Sequence, residues 1–243
     1  MREPSGADRQ VTLDEGDHYT PFWLSPLEVA AFTRHRDTRA FSAIDVTTGT
    51  ERELFQVDAL PAPAGTSLHP VEGLNVEVNP SLTQVLTSRV RDGVANLWSV
   101  PLREGRPAGP ATQLTAETDG GSFPHWSPDG GWVAYQCEAG DETHVCVVDA
   151  GGGHRAQLTH GRGLHFIGGW IGDRTILIAA RRDAVWNVVA LDRLTGVERA
   201  LTTFTDARSY VRYPRWDAAG QRVLFERAES TGNIWRVGLP AER

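Results

Sequence analysis

Histidine, arginine and acidic side chains are the groups in this sequence whose types and spacing can do chemistry. His160 and His165 share the segment HGRGLH, and with His18 they offer imidazoles to a transition metal. Their spacing matches no recognised ligand pattern and no clustered carboxylates accompany them, so hydrogen-bonding histidines are expected and no metal or other cofactor. Arg89, Arg91, Arg181, Arg182 and Arg212 can converge on an anion, because guanidinium groups clamp a carboxylate or phosphate through two parallel hydrogen bonds. The neighbours Arg91-Asp92 and Arg182-Asp183 can equally brace their own loops. Asp17, Asp119, Glu138 and Glu226 supply the carboxylates that glycoside hydrolysis needs, without a pattern that separates them from solvated loop acids. No Gly-x-Ser-x-Gly elbow occurs, so a serine nucleophile of that type has no support.

Composition narrows the chemistry further. All 24 basic residues are arginine and none is lysine, which excludes Schiff-base chemistry. The formal charge of −7 argues against a nucleic-acid or anionic-membrane surface. No apolar segment follows the charges of MREPSGADRQ, and no run is long enough to insert in a membrane. A soluble cytoplasmic chain is expected, or a periplasmic or secreted one if a leader has been removed. Cys137 and Cys146 are too few for a disulfide framework; they fall on neighbouring strands where a bridge is conceivable, and the sequence favours a pair of buried thiols.

The elements that position these residues form a repeat. A tryptophan or its equivalent, usually with proline two places earlier and a turn after it, recurs at Trp23, Val78, Trp126, Trp170 and Trp216, at spacings of 55, 48, 44 and 46 residues. Apolar runs follow each one: VAAF, QVLTS, WVAYQC, TILIAA and RVLFER. A third run comes after a polar loop (FSAIDV, ANLWSV, HVCVVDA, WNVVALD, GNIWRVG), and a short fourth closes four units (ERELF, TQLT, AQLT, RALT). Four strands at a period near 45 residues are the signature of a β-propeller. The expected architecture is all-β: one domain over 1–243 with five blades at about 20–56, 74–115, 122–159, 165–202 and 211–240. The last unit lacks a closing strand, and ADRQVTLDEGD carries an unassigned Gln-Val-Thr. Residues 9–13 are therefore expected to complete the last blade and remove an exposed sheet edge.

The run PHWSPDGGWVAY, followed by HVCVVDA, GGG and QLT, resembles the propeller repeat of the TolB family, a WD-type repeat that also builds the propellers of prolyl-oligopeptidase-type enzymes and oligogalacturonate lyases. The third unit is a close match and the fourth a good one; the others are looser, with Val78 for Trp and Asp-Ala-Ala-Gly for Ser-Pro-Asp-Gly. The resemblance implies the fold. It does not carry an activity, because the additional domains of TolB and of the peptidases have no counterpart in the sequence. In the lyases a His-x-His-Pro motif supplies the metal site, and the corresponding place here reads Val211-Arg212-Tyr213-Pro214, without either histidine.

Strand order then sorts the loops. The Ser-Pro-Asp-Gly-Gly, Gly151-Gly153 and Thr195-Gly196 turns share one rim, and the longer loops gather on the other, over the channel, where a rigid scaffold can carry function. A non-catalytic module is expected, a monomer that binds a protein, peptide or small polar or anionic ligand through His18, Tyr19, Arg91, His165, Arg182, Arg212 and Glu226. The alternative is a carbohydrate-active hydrolase or lyase with its site at the channel mouth.

Overall fold

Tight turns and alternating burial make this chain a series of antiparallel meanders. In Ser127-Pro128-Asp129-Gly130-Gly131 the Gly130 backbone takes φ +69°, the Gly130 N–H donates to the Ser127 carbonyl at 2.9 Å, and the Asp129 carboxylate accepts from the Ser127 hydroxyl and the Gly131 N–H. These bonds hold the Asp129 carboxyl below its ordinary pKa, the Ser127 hydroxyl contributing most. A left-handed position is strained for any side chain with a Cβ, which is why glycine stands there.

The computed structural model describes residues 10–12, 15–71, 75–217 and 221–229. The first sheet runs β1 (Asp17–Ser25), β2 (Glu28–His35), β3 (Thr38–Asp45) and β4 (Glu51–Gln56) in chain order. The second holds β5 (Ser67–Leu68), β6 (Val76–Val78), β7 (Gln84–Arg91), β8 (Val94–Arg103), β9 (Arg106–Pro107) and β10 (Thr112–Gln113); β5 and β6 both pair with β7 and form a split innermost strand. The third is β11 (Gly121–Trp126), β12 (Trp132–Ala139), β13 (Glu142–Asp149) and β14 (Arg155–Gln157), and the fourth β15 (Leu164–Ile171), β16 (Thr175–Arg182), β17 (Val185–Asp192) and β18 (Glu198–Ala200). β19 (Ser209–Asp217) and β20 (Arg222–Glu229) form a further pair that packs on β15, β16 and β17. The protein is thus an all-β propeller with four blades of at least four strands. The expected third strand of the last blade, 232–238, lies outside the described residues, as do 9 and 13 of the expected closing segment; Gln10–Thr12 belong to no described strand.

Each core is shared between consecutive sheets. Phe32, Phe41 and Phe55 meet Val76, Val85 and Val100 between the first and second. Leu86 and Leu97 meet Trp126, Val133 and Tyr135 between the second and third, and Val145 and Val147 meet Ile167, Trp170 and Ile178 between the third and fourth. The repeated tryptophans divide accordingly: Trp126 and Trp170 are 5% and 8% exposed between blades, as the repeat predicts, but Trp23 is 57% exposed. The recurring Leu-Thr of the closing strands also has a reason. Thr115, Thr159 and Thr202 each accept the N–H of a third-strand residue at 2.9 Å, from Leu97, Val145 and Val188 respectively.

Cys137 and Cys146 depart from the sequence expectation of free thiols. Cys137 pairs with His144 and Cys146 with Tyr135 across β12 and β13, so the two side chains share one buried face and are joined as a disulfide.

Candidate ligand site at the channel mouth

The innermost strand of each blade lines the central channel, and the residue just before each tryptophan position faces it. Phe22, Glu77, His125, Gly169 and Arg215 occupy that position in the five repeats, and all five line one cavity of about 320 Å³. A second cavity of about 310 Å³ opens on the long-loop side and is walled by Phe123, Phe166, Ile167, Trp186, Tyr210, Arg212 and Tyr213. His125 and Arg215 line both, so they stand at the waist between the two spaces.

Bulges aim these residues. Register shifts interrupt the pairing of β1 between Tyr19 and Phe22, of β11 between Ser122 and His125, of β15 between Ile167 and Gly169, and of β19 between Arg212 and Arg215. Thr20, Phe123 and Tyr213, each followed by proline, take φ of 47°, 52° and 50° inside them. Such left-handed backbone is uncommon for residues with a Cβ and persists where the surroundings enforce it. The consequence is one extra residue on the inner strand, three steps from Ser122 to His125 opposite two from Gln136 to Ala134, which changes the parity of the side chains beyond it.

The waist is polar. His125 Nδ1 lies 3.5 Å from Glu77 Oε2, an oxygen that is buried and accepts no hydrogen bond among the described residues. The His125 carbonyl accepts the Trp170 indole N–H at 3.0 Å, which ties the third repeat to the fourth. Desolvation by the surrounding strands lowers the Arg215 pKa from its ordinary value even though its side chain stays open to the channel, and the Glu77 charge opposes that shift. The mouth is aromatic. Phe166 stacks on Trp186 with ring centroids 5.5 Å apart, and the Arg212 guanidinium lies 4.9 Å from the Tyr210 ring centre and 5.4 Å from that of Tyr213. A cation held over aromatic faces is a ready anchor for an anionic or amphipathic ligand.

The residues singled out from sequence are dispersed. Arg212 reaches the mouth, donating to Glu226 at 2.5 Å; Glu226 lines neither cavity. His18 lies on the blade face, 3.5 Å from Glu51, and Tyr19 packs on Phe32. Arg91 donates to the Ala64 carbonyl and covers Trp98, while Arg182 is paired with Glu198. His165 is fully buried, with Nδ1 2.6 Å from the Thr143 carbonyl and its ring stacked on His144. Asp17 is held by Arg34. Among the described residues, then, Asp17, His18, His165 and Glu226 do not converge. Glu77, His125 and Arg215 were missed, although the signal was in the repeat itself: they share one alignment position, and polar residues there stand out against the Phe22 and Gly169 of the other units.

No family model matches the chain, and no curated protein does. Solved structures match its fold. A TolB-type protein from Agrobacterium tumefaciens superposes with a TM-score of 0.68 at 15% identity, over 91% of this chain and 73% of that one. TolB from Acinetobacter baumannii gives 0.61 at 16% identity, over 94% and 56%. An oligogalacturonate lyase in complex with manganese gives 0.54 at 19% identity, over 83% and 60%. The chain therefore has the fold of TolB-like β-propellers and spans 56% and 60% of the latter two proteins.

Proposed function

We propose that the chain is a non-catalytic binding module whose ligand sits in the mouth cavity: a segment of protein, a peptide or a small molecule that carries negative charge beside an apolar or aromatic group. The observation that carries this reading is the aromatic wall of Phe123, Phe166, Trp186, Tyr210 and Tyr213 with Arg212 at its edge. Aromatic rings and arginine are the residues that supply most of the energy at binding surfaces. A thermal-shift screen with acidic peptides, uronates and sugar phosphates tests it: hits are expected, and Arg212→Ala with Tyr213→Ala abolishes them. Hits that the double variant binds unchanged overturn the assignment.

A second reading, a carbohydrate lyase or hydrolase, is favoured by the approach of Glu77, His125 and Arg215 at the waist. A guanidinium can neutralise a uronate carboxylate while a neighbouring base removes a proton. Turnover of polygalacturonate that Glu77→Gln removes is the result that supports it.

We further propose five WD-type blades in a closed ring, with 9–13 completing the last. The exposed Trp23 supports closure, because the equivalent Trp126 and Trp170 are covered by the preceding blade. Deletion of residues 1–13 is then expected to abolish cooperative unfolding, and a truncated protein that melts as the parent does contradicts it. A disulfide persists in oxidising compartments, so the Cys137–Cys146 bridge favours a periplasmic or secreted protein over a cytoplasmic one.

A further inference from the structure

Away from the channel, the face of the first blade opposite the second blade carries His18 from the start of β1, His35 from the end of β2 and Glu51 from the start of β4. Their side chains meet over the small residues Thr33 and Ser42, whose hydroxyls are 3.0 Å apart. Glu51 Oε2 is 3.5 Å from His18 Nε2 and 3.3 Å from His35 Nε2, the three atoms lie within 4.8 Å of one another, and each residue is half-buried.

We propose that His18, His35 and Glu51 form a binding site for a divalent transition metal, zinc in the first instance, through the two Nε2 atoms and Oε2. Geometry and donor chemistry agree on the class of ion. With Zn–N and Zn–O bonds of about 2.0–2.1 Å, two ligand atoms of a tetrahedral site stand about 3.3–3.4 Å apart. The two nitrogen–oxygen separations fall within about 0.2 Å of that edge, so only the histidine–histidine approach needs to close. Two imidazoles and one carboxylate suit zinc and its first-row neighbours, whereas magnesium and calcium call for oxygen ligands throughout.

The surroundings hold the ligands as a metal site requires. The Thr33 and Ser42 hydroxyls, 3.0 Å from each other, also donate to the Glu51 carboxylate, the outer-shell role that keeps such ligands in place. Gly16 forms a floor for the His35 ring: a Cβ there would come within 2.3 Å of Cε1. The fourth blade gives an internal comparison. Thr33 pairs with His18 and Ala40 as Ala180 pairs with His165 and Asn187, and Ile44 pairs with Glu51 as Leu191 does with Glu198, so His165, Arg182 and Glu198 are the register equivalents of the three ligands. There the cation beside the glutamate is a guanidinium, since Arg182 is paired with Glu198. In the first blade His35 stands in place of that arginine, so an imidazole ligand replaces a guanidinium beside the glutamate.

Calorimetric titration of the chelator-treated protein with zinc chloride tests the proposal, with magnesium chloride as the parallel ion. One zinc per chain is expected, with a dissociation constant in the micromolar range or tighter, a raised melting temperature and no response to magnesium. His35→Arg, which copies the fourth blade, is expected to fold and melt as the metal-free parent does while binding zinc at least about 100-fold more weakly, and Glu51→Gln to lose binding likewise; loss of an outer-shell contact alone already costs about 10–100-fold. Should His35→Arg fail to fold, Glu51→Gln reads the site alone. Absence of stoichiometric binding by the parent, or one-to-one binding that survives both variants and so belongs to exposed histidines such as His154 and His160, overturns the assignment.

Discussion

The faces of the blades and the wall of the channel are made from the same strands, yet they hold their polar groups in opposite ways. On the faces, side chains find partners within their own sheet or the next: Arg182 takes Glu198, Arg155 takes Glu117, and His165 takes the Thr143 carbonyl. On the channel wall, partners come from the innermost strands of different blades. Glu77 faces His125 across two repeats, and Arg215 feels the Glu77 charge from a third. The difference lies in the pleat. A strand turns alternate side chains to opposite sides, so a step of one residue decides between a brace on a blade face and a group presented to a ligand.

The largest effects should separate core from surface among residues of the same type. Trp126→Ala is expected to cost about 3–5 kcal/mol in chemical denaturation, the range for a large-to-small change in a packed core. Trp23→Ala, at the equivalent position that is exposed among the described residues, should cost as much where the last blade closes over it, and under about 1 kcal/mol, as surface substitutions do, where the ring is open there. Equal losses at the two sites would show that the first tryptophan is as deeply packed as the third.

Next in size is the disulfide. Opening the Cys137–Cys146 bridge, by reductant or by Cys137→Ala with Cys146→Ala, removes a loop constraint of nine residues' separation and should cost about 2–3 kcal/mol. A midpoint that does not move under reductant means that the two residues are thiols in solution.

Two arginines sharpen the contrast between face and mouth. Arg182→Ala and Arg212→Ala each break a partly exposed ion pair with a glutamate, so each should cost at most about 1 kcal/mol of stability. They should differ in function, only Arg212→Ala weakening the hits of the ligand screen. Equal effects on binding would erase the distinction between the two regions.

The smallest effect is a pH dependence. Burial lowers the His165 pKa below its ordinary value, against the opposing hydrogen bond to the Thr143 carbonyl. The unfolded chain therefore binds the proton more readily, and stability is fully present above about pH 6.5 and declines as pH falls toward the lowered folded-state pKa. His165→Asn should flatten that decline in denaturation curves measured between about pH 7 and 5. A slope that stays unchanged would assign the acid sensitivity to other groups.

The fold was legible because its signal is a period. Tryptophan, turn and apolar runs recur near every 45 residues, and four of the meanders appear where the repeat puts them. The candidate site was less legible. His165 and Phe166 are adjacent in sequence; one is sealed between blades and the other helps wall the mouth cavity, and no residue type announces which. The bulge between Ile167 and Gly169 then resets the alternation, so counting by twos from His165 assigns the wrong side to everything beyond it. Arg91 and Arg182 misled for a related reason, since ends of second strands lie on the long-loop rim but outside the channel. The His18–His35–Glu51 cluster could not be read from spacing, because the stagger of the strands sets Glu51 beside histidines 33 and 16 positions earlier.

Where a ligand sits is the central claim, and tryptophan indole resonances report it directly. Trp186 belongs to the mouth wall, Trp98 lies beneath Arg91, and Trp23 lies at the far end of its strand from the long-loop rim. The measurement is a titration of ¹⁵N-labelled protein with the strongest binder among the acidic peptides and uronates. The Trp186 indole signal should shift progressively while those of Trp98 and Trp23 stay in place, and the shift should vanish in Arg212→Ala with Tyr213→Ala. Binding that moves Trp98 or Trp23, leaves Trp186 unmoved and survives the double variant would contradict a ligand seated at the mouth.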